Sequence, residues 1–166
     1  DAIRDESVDI LVFLHDDIWL EDSQLMQKIR AAVKCNDVVG VAGNIRRVSG
    51  QPAWLFLQGV TGNLELDKKN LSGSVKHGKP GSYVTANYGP HPAACALMDG
   101  VFLAARRTIL IQSDVYFDTR FKFDFYDMDF CRTAQSVGLS LSTWPIDLIH
   151  QSSGAFAGDS WNQMKA

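Results

Sequence analysis

The chain has 166 residues, enough for one hydrophobic core and too few for two separate enzyme domains. Hydrophobic residues make up 46% and charged residues 21%, which excludes the apolar-poor, charge-rich composition of a disordered chain. Sixteen Lys plus Arg against nineteen Asp plus Glu leave a formal charge of −3, with no basic run of the kind that grips a phosphate backbone, so nucleic acid is excluded as the main partner.

The opening segment Asp1–Ser7 is acidic, lacks a leading Met and has no apolar run of its own, so it does not read as a signal peptide. It reads as the tail of a helix already under way, which makes a fragment the expectation. Asp9-Ile-Leu-Val-Phe-Leu14 is a continuous apolar run that suits a strand buried on both faces, and it ends at His15-Asp16-Asp17. Asp22 or Ser23 can then cap a helix in which Leu25, Met26, Ile29, Ala32 and Val33 recur at helical spacing, closing near Asn36. Val38–Ala42 is a second strand, ended by Gly43-Asn44. From about Arg46 to Pro92 the pattern is poor and Gly, Pro, Ser and Asn are frequent. This stretch reads as a long irregular insertion holding a few strands, such as Trp54–Leu57 and Tyr83–Ala86.

Ala96–Ala105 reads as a strand broken at Asp99-Gly100, and Arg106–Gln112 as a short helix. Phe123–Val137 has helical spacing at Phe125, Met128, Phe130, Ala134 and Val137, with Gly138 as the stop. Leu139–Trp144 alternates like a strand, and Ile146–His150 carries the apolar pattern on to a polar end. The expectation is a single α/β domain over 1–166 with a mixed sheet flanked by helices. No run of about 18 apolar residues occurs, so no membrane-spanning helix is expected. Cys35, Cys95 and Cys131 are an odd set without CxxC spacing. They imply neither a disulfide framework nor a thiolate zinc site, and a reducing cytoplasm fits them; the expected location is the cytoplasm, the inner membrane surface included.

Four points can carry chemistry. In open α/β sheets ligands bind outside the carboxyl ends of strands, so Asp16 and Asp17 are placed to hold Mg²⁺ or Mn²⁺ against a phosphate; a solvated turn is the plain alternative. Asp127, near the start of a helix, is a carboxylate that backbone N–H groups could fix as a general base, or else a simple cap. His150 can be a metal ligand or a hydrogen-bonded structural residue. Asp99-Gly100 allows close approach of a ligand, or is a bulge.

Taken in order, Asp9–Asp17, Met98–Arg107, Phe117–Phe121 with Phe125–Arg132, and Gly138–His150 resemble the second half of the GT-A glycosyltransferases of family two, the inverting nucleotide-sugar enzymes. The resemblance implies a GT-A-like fold truncated at its N-terminus. The strands that bind the nucleoside would need on the order of 80 further residues before Asp9. It implies that Asp17 matches the metal-binding end of the DxD motif, with Asp16 in its variable middle place, and that His150 matches the histidine completing the metal site. Asp127 matches the base of the "ED" motif. Asp99 and Gly100 would line the sugar or acceptor pocket, and Trp54 or Trp144 would stack on a sugar. Two departures stand out: His15 occupies a place where an acidic residue is common, and Tyr126 replaces the acid before Asp127. The implied partners are a nucleotide-diphosphate sugar donor and a saccharide or lipid-linked acceptor, with self-association through an exposed sheet edge. Polysaccharide synthesis is the process that many members of the family serve. A non-catalytic carbohydrate or nucleotide-sugar binding module, and more remotely a nucleotidyltransferase, are the other readings.

Overall fold

The computed structural model describes residues 2–151. It is an α/β structure in which strands β1 (Ile10–Leu14), β2 (Ile18–Leu20), β3 (Val38–Gly40), β4 (Ala42–Asn44), β5 (Phe56–Gln58), β6 (Leu64–Leu66), β7 (Leu71–Lys79) and β8 (Ser82–Gly89) make up the first half. The second half adds β9 (Ala93–Ala94), β10 (Leu97–Met98), β11 (Phe102–Arg106), β12 (Leu141–Thr143) and β13 (Leu148–His150). The helices are α1 (Leu25–Cys35), α2 (Arg107–Gln112) and α3 (Tyr126–Ser136).

Two mixed sheets share the core. The first has five strands in the order β1-β11-β3-β12-β9; the second follows β10-β4-β7-β13-β2 with β8 on β7, and β5-β6 is a separate hairpin. Only β3–β12 and β7–β13 are parallel. The sheets are joined by chain segments that leave one and enter the other, among them β1 to β2 through His15–Asp17, β3 to β4 through Val41, β9 to β10 through Cys95–Ala96, β10 to β11 through Asp99–Val101, and β12 to β13 through Trp144–Asp147. The segment 38–42, expected as one strand, is therefore two, divided at the buried Val41. The division is matched on the partner segment. Leu103 pairs with Gly40 in the first sheet and Met98 with Gly43 in the second, so both chains change sheet together. Glycine is needed there because a Cβ at Gly43 would collide with the Leu97 carbonyl.

Helix α1 lays Ile29, Ala32 and Val33 against the core, as its spacing predicts. It begins at Leu25 without a side-chain cap; Asp22 instead accepts from the Gln24 N–H and from Lys28 Nζ at 2.6 Å. Helix α3 buries Phe130, Cys131 and Ala134 and starts three residues later than expected.

Two expectations are corrected. Strand β1 is not buried on both faces: it lies at the edge of its sheet, with Leu11 inward and Val12 and Leu14 exposed. A continuous apolar run does not distinguish a central strand from an edge strand whose alternate face also happens to be apolar. The region 46–92 is largely extended rather than irregular. It contains β5 to β8, and the long β7–β8 hairpin is built into the second sheet. Gly73 and Gly78, both at positive φ, and the mostly polar, exposed β8 hide the strand pattern there. No helix among the described residues is long and apolar enough to cross a membrane.

Candidate functional site

The segments that change sheet open a cleft of about 690 Å³ on one rim of the first sheet. His15, Asp16 and Asp17 reach it from the β1–β2 connection, Asp99 and Gly100 from β10–β11, Tyr126 and Asp127 from the start of α3, and His150 from the end of β13. The residues that the motifs singled out thus meet in one place. Trp144 is the exception. It does not line the cleft but packs, partly buried, against the core.

Asp127 owes its position to an abrupt backbone turn. Phe125, immediately before α3, has φ of 64°, a left-handed conformation that costs a side-chain-bearing residue of order 1–3 kcal/mol. The turn brings the first residues of α3 back over Gly100. Asp127 Oδ2 accepts from the Gly100 N–H at 3.1 Å and Oδ1 from the Met128 N–H at 2.7 Å. Burial, reinforced by the neighbouring Asp99 carboxylate, outweighs these two hydrogen bonds and pushes Asp127 up to about 7. Asp99 is itself raised by burial, although it accepts from the Val101 N–H at 2.9 Å and from the Trp54 side chain. A carboxyl near 7 exchanges its proton readily at neutral pH, as a general base must.

Opposite lies a group of nitrogen and oxygen donors. His150 Nε2 is 3.1 Å from Asp17 Oδ1 and 3.4 Å from His15 Nδ1, and one ligand atom from each residue lies within 4.8 Å of the others. The two shorter spacings are also those of donors around one cation, about 3.0 Å apart at right angles and about 3.4 Å apart in a tetrahedron for bonds of about 2.1 Å. Burial lowers the His150 pKa against the opposing pull of Asp17, which favours the neutral imidazole a cation needs. The three residues could together hold a metal ion, and imidazole donors in general suit transition metals better than Mg²⁺, which prefers oxygen.

The 46–92 region supplies a wall of which the sequence singled out only Trp54. Pro52, Ala53, Trp54, His77 and Tyr88 line the cleft, with Trp54 and Tyr88 edge to face at 5.0 Å. A buried polar network fastens this wall. Asn44 Nδ2 donates to the Trp54 carbonyl at 2.9 Å and to Asp67 at 3.1 Å, and Arg46 grips Asp67 with two bonds of 2.8 and 2.9 Å. The opposite wall is the 113–125 connection. Phe117 stacks on Phe130 at 4.5 Å and meets Phe13 edge-on at 4.9 Å. Its aromatic spacing, Phe117, Phe121, Phe123 and Phe125, was the signal available in the sequence.

No protein-family model matches this chain, and no curated protein matches it.

Proposed function

We propose that the cleft is the catalytic centre of an inverting glycosyltransferase of the GT-A kind, which moves a sugar from a nucleotide-diphosphate donor to a hydroxyl of a saccharide or lipid-linked acceptor. One juxtaposition carries the reading: a carboxyl held near 7 and a three-donor cation group line the same cleft at the carboxyl end of β1. The order of the four motifs along the chain supports it.

In this reading Asp127 takes the proton of the acceptor hydroxyl as that oxygen attacks the anomeric carbon. The bond from that carbon to the donor phosphate breaks, its electron pair leaves with the diphosphate, and the configuration inverts. Gly100 N–H and Met128 N–H hold the Asp127 carboxylate in one orientation for the transfer. Asp16, Asp17, Asp99, Asp124 and Asp127 line the cleft against the single lysine Lys122, so a bare diphosphate would be repelled. A divalent cation held by His15, Asp17 and His150 would supply the missing positive charge and stabilise the leaving group. Trp54 and Tyr88 offer an aromatic wall with Asp99 beside it, a combination suited to a sugar ring.

The test is nucleotide-sugar turnover by the full gene product. The expected result is transfer or slow donor hydrolysis that needs Mn²⁺ and falls about 10²–10⁴-fold in Asp127→Asn. Turnover indifferent to that substitution would overturn the assignment. Metal-independent sugar binding that Asp127→Asn leaves intact would favour the non-catalytic binding module.

A further inference from the structure

The two departures from the family pattern, His15 and Tyr126, lie against each other. Tyr126 Oη is 2.6 Å from His15 Nε2, and the two rings are tilted at 47° with centroids 6.4 Å apart. Tyr126 is also the residue directly before Asp127. Its ring occupies the space that a Cβ on Gly100 would fill, so the absence of a side chain at Gly100 is what lets the phenol reach across the cleft floor.

The hydrogen-bond chain has one consistent arrangement of protons. With no cation bound, Asp17 Oδ1 only accepts, so the proton in its 3.1 Å contact with His150 sits on His150 Nε2, where a cation would displace it. His15 Nδ1 faces that same nitrogen at 3.4 Å and is best placed there with its lone pair. The His15 proton is then on Nε2 and is donated to Tyr126 Oη. From this geometry, and resting on the cation site described above, we infer that Tyr126 is a positioning residue. With its short 2.6 Å bond it reinforces the longer His150 contact in holding His15 as the Nε2–H tautomer, keeps the Nδ1 lone pair turned towards the cation site, and thereby ties that site to the helix start that carries Asp127.

Tyr126 Oη offers a lone pair to the His15 ring N–H at 2.6 Å. Metal-ligating histidines generally donate their other ring N–H to such a partner, and removing the partner weakens metal binding about 10–100-fold. The tyrosine also explains how a histidine can stand in the DxD position without loss of the site: a neutral imidazole needs its tautomer set from outside, whereas a carboxylate does not.

The experiment compares the wild type with Tyr126→Phe, which removes one oxygen and keeps the ring. Three quantities are read: the His15 tautomer from imidazole ¹⁵N shifts in cation-free protein, assigned by their loss in His15→Gln; Mn²⁺ affinity by electron paramagnetic resonance; and the Asp127 carboxyl titration by ¹³C shifts. The expected result is a wild-type His15 protonated at Nε2, a mixed tautomer in Tyr126→Phe, Mn²⁺ binding weakened about tenfold or more, and an unmoved Asp127 titration. An unchanged tautomer, or Mn²⁺ affinity within about twofold of wild type, overturns the inference. So does a displaced Asp127 titration in Tyr126→Phe, which would make the phenol a packing element of the helix start. A wild type that takes up no Mn²⁺ overturns the inference and the cation-dependent function together. Intact Mn²⁺ binding without sugar transfer overturns the transferase assignment alone.

Discussion

The raised pKa of Asp127 makes a prediction about stability that needs no substrate. Its ordinary value of 3.8 is lifted to about 7, so the folded protein holds this proton more tightly than the unfolded chain does. Folding stability contributed by the protonated form is fully present below about pH 4 and is lost as the pH rises from there through 7, with no further loss above. At 1.36 kcal/mol per decade of pKa, the loss between pH 5 and pH 8 is about 3 kcal/mol. Asp127→Asn cannot ionise and escapes that loss. The asparagine keeps one acceptor but turns an NH₂ towards either the Gly100 or the Met128 N–H, at a cost of about 1–3 kcal/mol at every pH. The variant is therefore expected to be roughly as stable as wild type at pH 5 and about 2 kcal/mol more stable at pH 8. Urea unfolding at pH 5, 6, 7 and 8 measures the difference, and titrations common to both proteins cancel in it. Parallel stability curves over that range would refute the placement of Asp127 in a desolvated, acid-flanked pocket.

Further expectations concern the supports of the cleft. Gly100→Ala drives a Cβ into the Tyr126 ring and should destabilise the fold by about 1–3 kcal/mol, read as a lower melting temperature, with the Asp127 titration displaced as well. Asp67, lowered to about 2 chiefly by its hydrogen bonds with Arg46, contributes stability above its ordinary 3.8 that is lost as the pH falls towards 2. Asp67→Asn should thus cost on the order of 1–2 kcal/mol at pH 7 in urea melts, with the gap to wild type closing below pH 3.

Much of the fold is legible because its apolar residues repeat with a period. Strand β1, helices α1 and α3 and the final strand all fall where the spacing puts them, and with them Asp17, Asp127 and His150. Motif order alone relates Asp17, Asp127 and His150, since nothing local to Asp17 announces a neighbour at His150. What could not be read is long-range. The contact between His15 and Tyr126 joins residues 111 positions apart, and each looked like an isolated departure until folding placed them together. The sheet change at Val41 leaves no mark in an apolar run, because a strand that switches sheets stays buried on both sides of the switch. Trp144 and Trp54 are both aromatic residues beside strands. Trp54 belongs to the buried core and also lines the cleft, whereas Trp144 is only partly buried against the core and lies outside the cleft, a difference that folding alone decides.

Because several covalent passages stitch the two sheets together along one rim, the floor of the cleft is continuous main chain on every side that carries His15, Asp17 and Asp99. The sheets cannot slide or hinge apart without stretching those passages. If the cleft carries out the proposed transfer, a bulky donor would enter and its products leave chiefly past the irregular aromatic 113–125 stretch, and turnover would respond to how firmly Phe117 is wedged between Phe13 and Phe130.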